Sequence, residues 1–239
     1  MKIIIPLAGH GSRFVDAGFE LPKPLIEIKN KSMIEVVLDN LNMDGDYIFI
    51  CRQEHIERYN LHRFFQKIKP GCTIISIDNV TEGAANTVLL AKKYINNDDE
   101  LIIANSDQWI DWNSEHFLSF MHRKNADGGI LTFYASEPKW SFVKIDKHNN
   151  VTELAEKKPI SNIATVGIYY FKHGKFFVSA AHNMIKKNIR VNNEFYVAPT
   201  YNELIFENKK ILAYPIAEMC GLGTPEDLEI FLKKNDIKI

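Results

Sequence analysis

Cysteine is scarce. Cys51, Cys72 and Cys220 are odd in number and far apart in 239 residues, which argues against a disulfide framework and against a Cys-x-x-Cys metal site. An excess of one charge is also missing. The 29 basic and 30 acidic side chains leave a formal charge of −1, so bulk attraction to nucleic acid or to an anionic membrane is not expected. No apolar run approaches a membrane span, and the apolar opening is shorter than the core of a signal peptide. Linkers, low-complexity stretches and internal repeats are lacking too. These absences point to a cytoplasmic protein with small-molecule partners, no nucleic acid and no membrane. At 46% hydrophobic and 25% charged residues, the chain has the composition of an ordinary globular domain, and one domain over 1–239 is expected.

Two familiar phosphate loops are absent as well. No Gly-Lys-Ser/Thr follows the first glycines, which excludes a Walker A loop. The dinucleotide fingerprint fails because Phe14 stands where its third glycine belongs. What is present is Ile3-Ile4-Ile5-Pro6-Leu7-Ala8, read as a buried strand, followed at once by Gly9-His10-Gly11-Ser12-Arg13. Glycines after a strand let the backbone approach a ligand and offer N–H groups to phosphate. Arg13 and, ten residues on, Lys23 between Pro22 and Pro24 add two cations. That combination suits a triphosphate and a leaving pyrophosphate.

The first half of the chain alternates strand and helix patterns. Helices are expected over 33–41, with Ser32 as N-cap, over 54–67 and over 85–95; strands over 47–51, 73–77 and 101–104. Such alternation implies an α/β fold with a doubly wound, mainly parallel mixed sheet that binds ligands at the carboxyl ends of its strands. The second half changes character. Strands are expected over 128–134, 142–145, 151–154, 166–171 and 211–214, with a turn at Lys147-His148-Asn149-Asn150 and Pro215 closing the last. Helices are expected over 174–187 and 199–207. A final helix opens at Thr224-Pro225-Glu226-Asp227, with Thr224 as N-cap and Pro225 at the first helical position. The expectation is a nucleotide-binding half, 1–127, and a small β-rich acceptor-binding elaboration, 128–239.

Two further segments carry chemistry. In Thr81-Glu82-Gly83-Ala84-Ala85-Asn86-Thr87, small residues would let a flat base lie against the backbone, with Asn86 at its edge; close strand–helix packing explains the same residues equally well. Asp107, after the strand 101–104, is placed to hold Mg²⁺, which takes one or two carboxylates plus substrate phosphates; a turn aspartate is the plainer alternative. Asp111 is a spare acid. Trp109, Trp112 and Trp140 are candidates for an acceptor pocket or for packing, and His10 faces the phosphates or lies in an exposed loop.

The pair of motifs Ala8-Gly9-His10-Gly11-Ser12-Arg13 and Pro22-Lys23-Pro24-Leu25 resembles the signature of the sugar-phosphate nucleotidyltransferases. These nucleoside-diphosphate-sugar pyrophosphorylase-like enzymes make activated sugars and alcohols. The resemblance runs through Gly223-Thr224-Pro225-Glu226-Asp227. It implies a Rossmann-like nucleotidyltransferase fold and transfer of a nucleotidyl group to a phosphorylated acceptor with release of pyrophosphate. It assigns Leu7, Ala8, Gly9, His10, Gly11, Ser12, Arg13, Lys23, Gly83, Ala84 and Asn86 to the nucleotide. Arg13, Lys23 and Asp107 become the catalytic groups, with Mg²⁺ on Asp107. Glu156, Lys157, Gly167 and Glu194 go to the acceptor. The short, bacterial-type members imply a sugar phosphate or a small alcohol or amine phosphate acceptor for capsule or other surface polysaccharide, with CTP the favoured donor and a homo-oligomer compatible. One departure stands out. Gly221 occupies the place of the family's second metal aspartate, and Glu218 is the nearest acid. A nucleotide-sugar glycosyltransferase and a non-catalytic nucleotide-binding regulatory domain stay open as alternatives, although Asp107-Gln108-Trp109 lacks the second acid of an Asp-x-Asp motif.

Overall fold

The structure, a computed structural model, describes residues 1–234. The chain runs β1 (Lys2–Pro6), α1 (Ser12–Asp16), a 3₁₀ turn (Lys23–Leu25), the small hairpin β2 (Glu27–Ile28) and β3 (Lys31–Ser32), α2 (Met33–Leu41) and β4 (Asp46–Arg52). It continues with α3 (Gln53–Arg58), α4 (Leu61–Ile68), β5 (Thr73–Ile77), α5 (Ala84–Leu89), α6 (Lys92–Ile95), β6 (Leu101–Ala104), β7 (Gln108–Asp111) and α7 (Ser114–Arg123). The second half holds β8 (Gly128–Tyr134), β9 (Ser141–Ile145), β10 (Val151–Glu156), β11 (Ile163–Phe171), α8 (Gly174–Lys186), α9 (Thr200–Phe206), β12 (Ile211–Pro215), β13 (Glu218–Gly221) and α10 (Pro225–Lys234).

Nine strands form one mixed sheet in the order β10-β9-β11-β6-β1-β4-β5, with β8 against β11 and β12 against β8. The pairings β1–β4, β1–β6, β4–β5 and β12–β8 are parallel; those made by β9, β10 and β11 are antiparallel. This is the mixed α/β sheet expected, with all its parallel pairs but β12–β8 in the first half. Ile3–Ile5 and Leu101–Ile103 are wholly buried because helices cover both faces of the centre. Successive side chains on β1 enter opposite cores: Ile3 and Ile5 join α2, α3 and α4, while Ile4 joins α5, α6, α8 and α9.

The local signals hold at several ends. Ser32 and Glu35 form a reciprocal capping box on α2. Thr224 Oγ1 accepts the Asp227 N–H at 3.1 Å at the start of α10. Asp146 Oδ1 accepts the N–H groups of His148 and Asn150 and closes the β9–β10 turn.

Other expectations need correction. The helix expected over 54–67 is two helices, because Asn60 adopts a left-handed conformation at φ 48° and redirects the chain. The helix expected over 85–95 also breaks, between Leu89 and Lys92, and nothing in the sequence marks that break. The first strand ends at Pro6 rather than Ala8, although the Leu7 N–H still reaches the Ile50 carbonyl at 2.8 Å. Helix α7, the β2–β3 hairpin and the β7–β13 ribbon were not expected. Asn113, whose side chain accepts the His116 N–H, with Phe117 and Met121 one turn apart, is the signal that would have revealed α7.

Candidate functional site

A cavity of about 440 Å³ opens at the carboxyl ends of β1 and β6. Its floor is the turn after β1. Gly11 takes a left-handed conformation at φ 62° and starts α1, so that Leu7, Ala8, Gly9, Gly11, Ser12 and Arg13 all line the cavity. His10 is exposed and is not among the lining residues. The Arg13 carbonyl accepts the Ala17 N–H at 3.2 Å, but its side chain makes no hydrogen bond or ion pair among the described residues, so the guanidinium is available to an anion. Lys23 enters from the 3₁₀ turn, where Pro22 and Pro24 flank it and the Leu25 N–H donates to the Pro22 carbonyl at 2.8 Å.

Asp107 stands opposite. Its carboxylate accepts from Lys23 Nζ at 2.8 Å, and its carbonyl accepts from the Leu222 N–H at 2.7 Å. Gly167 supports this loop from below. The Gly167 carbonyl accepts the Asn105 N–H at 2.7 Å, and its own N–H donates to Gln108 Oε1 at 2.6 Å. The first of these bonds carries the β11–β6 ladder one residue beyond the Ile168–Ala104 pair. A Cβ on Gly167 would meet the Asn105 side chain at 2.1 Å. Gly167 is therefore the seat of the Asp107 loop and is not among the cavity's lining residues.

The wall over Val80–Thr87 is held from outside. The Phe195 N–H donates to the Glu82 carbonyl at 2.7 Å, and the Phe195 carbonyl accepts the Ala85 N–H at 2.9 Å. Arg190 pairs with Glu82 at 3.2 Å and lies over the Phe195 ring. Gly83 and Ala84 line the cavity, together with Thr81 and Thr87, whose hydroxyls meet at 2.6 Å. Asn86 is not a lining residue, and its buried Oδ1 has no hydrogen-bond partner among the described residues. Thr81 and Thr87 bound the segment read from sequence, whereas Val80 just before it carries no chemical pattern that would single it out.

On the far wall, Glu194 and Tyr196 line the cavity while Phe195 between them is core. Lys157 Nζ donates to the Tyr196 hydroxyl at 2.5 Å, and that hydroxyl donates to Glu194 Oε2 at 2.5 Å. Burial, followed by the Glu194 hydrogen bond, pushes the Tyr196 phenol up, so it stays protonated at neutral pH. Glu156 lies behind Lys157 and bonds Ser141; burial raises its carboxyl above the usual range. Neither Glu156 nor Lys157 is among the lining residues themselves.

Several candidates fall elsewhere. Trp109 packs on Phe231, and Trp112 donates to the Asn40 carbonyl at 2.9 Å and packs on Phe117. Trp140 packs edge-on against Phe133, and its carbonyl accepts the Lys157 N–H at 3.0 Å. Asp111 and Glu218 face each other in register on the β7–β13 ribbon, outside the cavity lining. A side chain at Gly221 would begin 3.1 Å from Asp227 Oδ2, so an aspartate there would confront a second carboxylate. At Gly223 a Cβ would begin 2.9 Å from Asp107 Oδ2, so this glycine keeps space for the acid.

Among the described residues no three His, Cys, Asp or Glu side chains gather as a preformed metal cage. One carboxylate in a cavity floored by the backbone of a glycine loop nevertheless fits Mg²⁺, which takes one or two carboxylates and completes its shell with water and phosphate oxygens. The space kept at Gly223 is consistent with a ligand on that carboxylate. Among the described residues no helix is long and apolar enough to cross a membrane.

Known proteins share this architecture. The nucleoside-diphosphate-sugar pyrophosphorylase of Vibrio cholerae RC9 superposes with a TM-score of 0.83 at 26% identity, over 97% of this chain and 99% of that one. The inositol-1-phosphate CTP transferase of T. maritima has the same fold, with a TM-score of 0.75 at 13% identity over 100% of this chain and 98% of that one. In sequence, the bifunctional protein GlmU of Methanocaldococcus jannaschii is 28% identical over 178 residues, 72% of this chain and 40% of that protein. The mannose-1-phosphate guanyltransferase of Aspergillus fumigatus is 27% identical over 188 residues, 71% and 49% respectively. The chain thus spans less than half the length of these curated relatives. The family model for nucleotidyl transferases matches residues 2–226, from the first strand through the glycine loop, the Asp107 turn and the start of α10. With that match over almost its entire length, the chain belongs to the nucleotidyl transferase family.

Proposed function

We propose that the protein transfers a nucleotidyl group from a nucleoside triphosphate to the phosphate of a small acceptor and releases pyrophosphate. The observation that carries this reading is the convergence of the glycine loop, an unpaired Arg13, Lys23 and Asp107 on one cavity. Residues 1–127 would hold the nucleotide and 128–239 the acceptor. The acceptor is a sugar phosphate or a small alcohol or amine phosphate destined for surface polysaccharide such as capsule, in a cytoplasmic setting. CTP is the favoured donor, on the resemblance to short bacterial-type members.

An acceptor phosphate oxygen attacks the α-phosphorus. The new P–O bond forms as the bond to the β-phosphate breaks, and its electron pair leaves with pyrophosphate. A phosphate monoester, with a second pKa of about 6, is already ionised at neutral pH, so no side chain needs to act as base. Backbone N–H groups from Gly9 to Arg13 hold the triphosphate, and Arg13 draws charge from its outer phosphates. Lys23 faces the phosphate under attack. Glu194, Tyr196 and Lys157 orient the acceptor. Mg²⁺, held by Asp107, would supply charge neutralisation between the phosphates. Catalysis is then positioning and electrostatics.

The test is pyrophosphate release with CTP, UTP, dTTP, GTP and ATP in turn, with Mg²⁺ and a pool of sugar, alcohol and amine phosphates. Release with one nucleotide that depends on the pool is the expected result. Nucleotide binding without release under every combination would refute the transferase reading.

A further inference from the structure

We infer that Lys23 is an internal counter-ion that keeps Asp107 closed to divalent cations until a nucleotide arrives. The inference rests on the transferase reading of the site and deepens it by fixing the order in which metal and nucleotide enter.

Lys23 Nζ sits 2.8 Å from Asp107 Oδ2, and both side chains are only about a quarter exposed, at 22% and 25%. The lysine is held there. Its backbone is fixed by the 3₁₀ turn between Pro22 and Pro24, and a Cβ added to Gly11 would lie 3.5 Å from the Lys23 Cβ. Position 221 is glycine, and among the described residues Asp107 belongs to no cluster of three metal-ligating side chains that could share a cation. A divalent ion approaching the free protein therefore meets one carboxylate whose charge is already balanced. To bind, it must expel an ammonium that makes no other ion pair among the described residues, and shed part of its own hydration shell. Mg²⁺ does the latter reluctantly.

A nucleotide changes both sides of this exchange. Its phosphates offer Lys23 a new anionic partner, and they supply the oxygen ligands that one carboxylate cannot. The swap conserves charge pairing: Lys23 passes from Asp107 to phosphate as Asp107 passes from Lys23 to the metal. A two-carboxylate site would not need this device. The glycine at position 221 and the Lys23–Asp107 pair are thus two parts of one arrangement, in which the cation enters with the nucleotide.

Mn²⁺ binding to the nucleotide-free protein, read from the electron paramagnetic resonance signal of the free ion, tests this directly. Lys23→Met keeps the aliphatic stem and removes the charge. It is expected to bind Mn²⁺ at least about tenfold more tightly than wild type, about 1.4 kcal/mol. Adding Asp107→Asn should abolish the gain. Lys23→Arg, which keeps the charge, should behave as wild type. Arg13→Met removes an equal charge from the same cavity without touching Asp107, and should change affinity by less than about threefold. If Lys23→Met does not fold, Lys23→Gln replaces it. Equal affinity in wild type and the neutral variants, a gain that survives Asp107→Asn, or an equal gain in Arg13→Met would each overturn the inference. Pyrophosphate release by the wild type is scored separately. Release with equal Mn²⁺ affinities retires the counter-ion and keeps the transferase, whereas the expected affinities without release do the reverse.

Discussion

Replacing Gly83 by alanine probes the wall of the cavity at its tightest point. Gly83 has φ 123°, a conformation that L side chains rarely adopt, and an added Cβ would lie 2.5 Å from both the N and the O of Phe195. These are backbone atoms, so no rotamer change relieves the clash. Two responses are available. The protein can keep the loop and bear the backbone strain, about 1–3 kcal/mol. It can instead move the loop and lose the two hydrogen bonds from Phe195 to Glu82 and Ala85, about 0.5–1.5 kcal/mol each. Either response costs about 1–3 kcal/mol, a substantial share of the roughly 5–15 kcal/mol typical of a folded protein. For a chain of this size the melting temperature should fall by about 2–12 °C. Thermal unfolding followed by circular dichroism measures the first response, and nucleotide affinity by calorimetry the second. A loop that moves aside should weaken nucleotide binding even where the melting temperature falls least. Gly9→Ala is the control for stability, because a Cβ there meets nothing within 4 Å. A Gly83→Ala protein that melts within about 1 °C of wild type and binds nucleotide as well would refute the reasoning.

Lys23→Ala should lower the turnover rate by about 10²–10³, the usual cost of one positioned charge, measured as steady-state pyrophosphate release. Tyr196→Phe removes the hydroxyl shared by Lys157 and Glu194, and should raise the acceptor KM by about tenfold while leaving the nucleotide KM unchanged. Glu156→Gln should stabilise the protein at neutral pH, as shown by urea titrations across pH. Burial raises the folded-state pKa of Glu156 above its unfolded value of 4.5, so ionisation penalises the folded state. That penalty is absent below pH 4.5 and complete above the folded pKa, so the advantage of glutamine should vanish as the pH falls below 4.5.

The sequence carried those features that a local rule controls. The buried strand before Gly9, the Ser32–Glu35 capping box and the Thr224-Pro225 helix start are each set by neighbouring residues, and each was legible. Asn60 was also a local signal, since asparagine tolerates the left-handed region, but helical periodicity on both sides concealed it. Gly167 shows where local reading fails. As a sequence feature it is a glycine in an apolar strand; its role depends on Asn105 and Gln108, brought to it by tertiary pairing about 60 residues away. Tyr196 follows Phe195 directly, and nothing local tells the two rings apart. The pair splits, one ring inward and one to the cavity, because neighbours on an extended segment point in opposite directions. Gly83 was read as room for a base, while the structure adds a second demand from Phe195 behind it.

The place of β11 has a consequence for the growing chain. It is the strand that completes β6, with Ile168–Phe171 running against Ala104–Leu101. Until residues 163–171 leave the ribosome, β6 presents an apolar, unpaired edge with a nearly finished parallel sheet behind it. Synthesis at about 5–20 residues per second leaves that edge open for several seconds. The first half is thus an aggregation-exposed intermediate whose survival depends on prompt translation of the second or on a chaperone. A fragment ending near residue 127 would keep the edge permanently, and expression of such a fragment should yield insoluble protein rather than a stable nucleotide-binding unit.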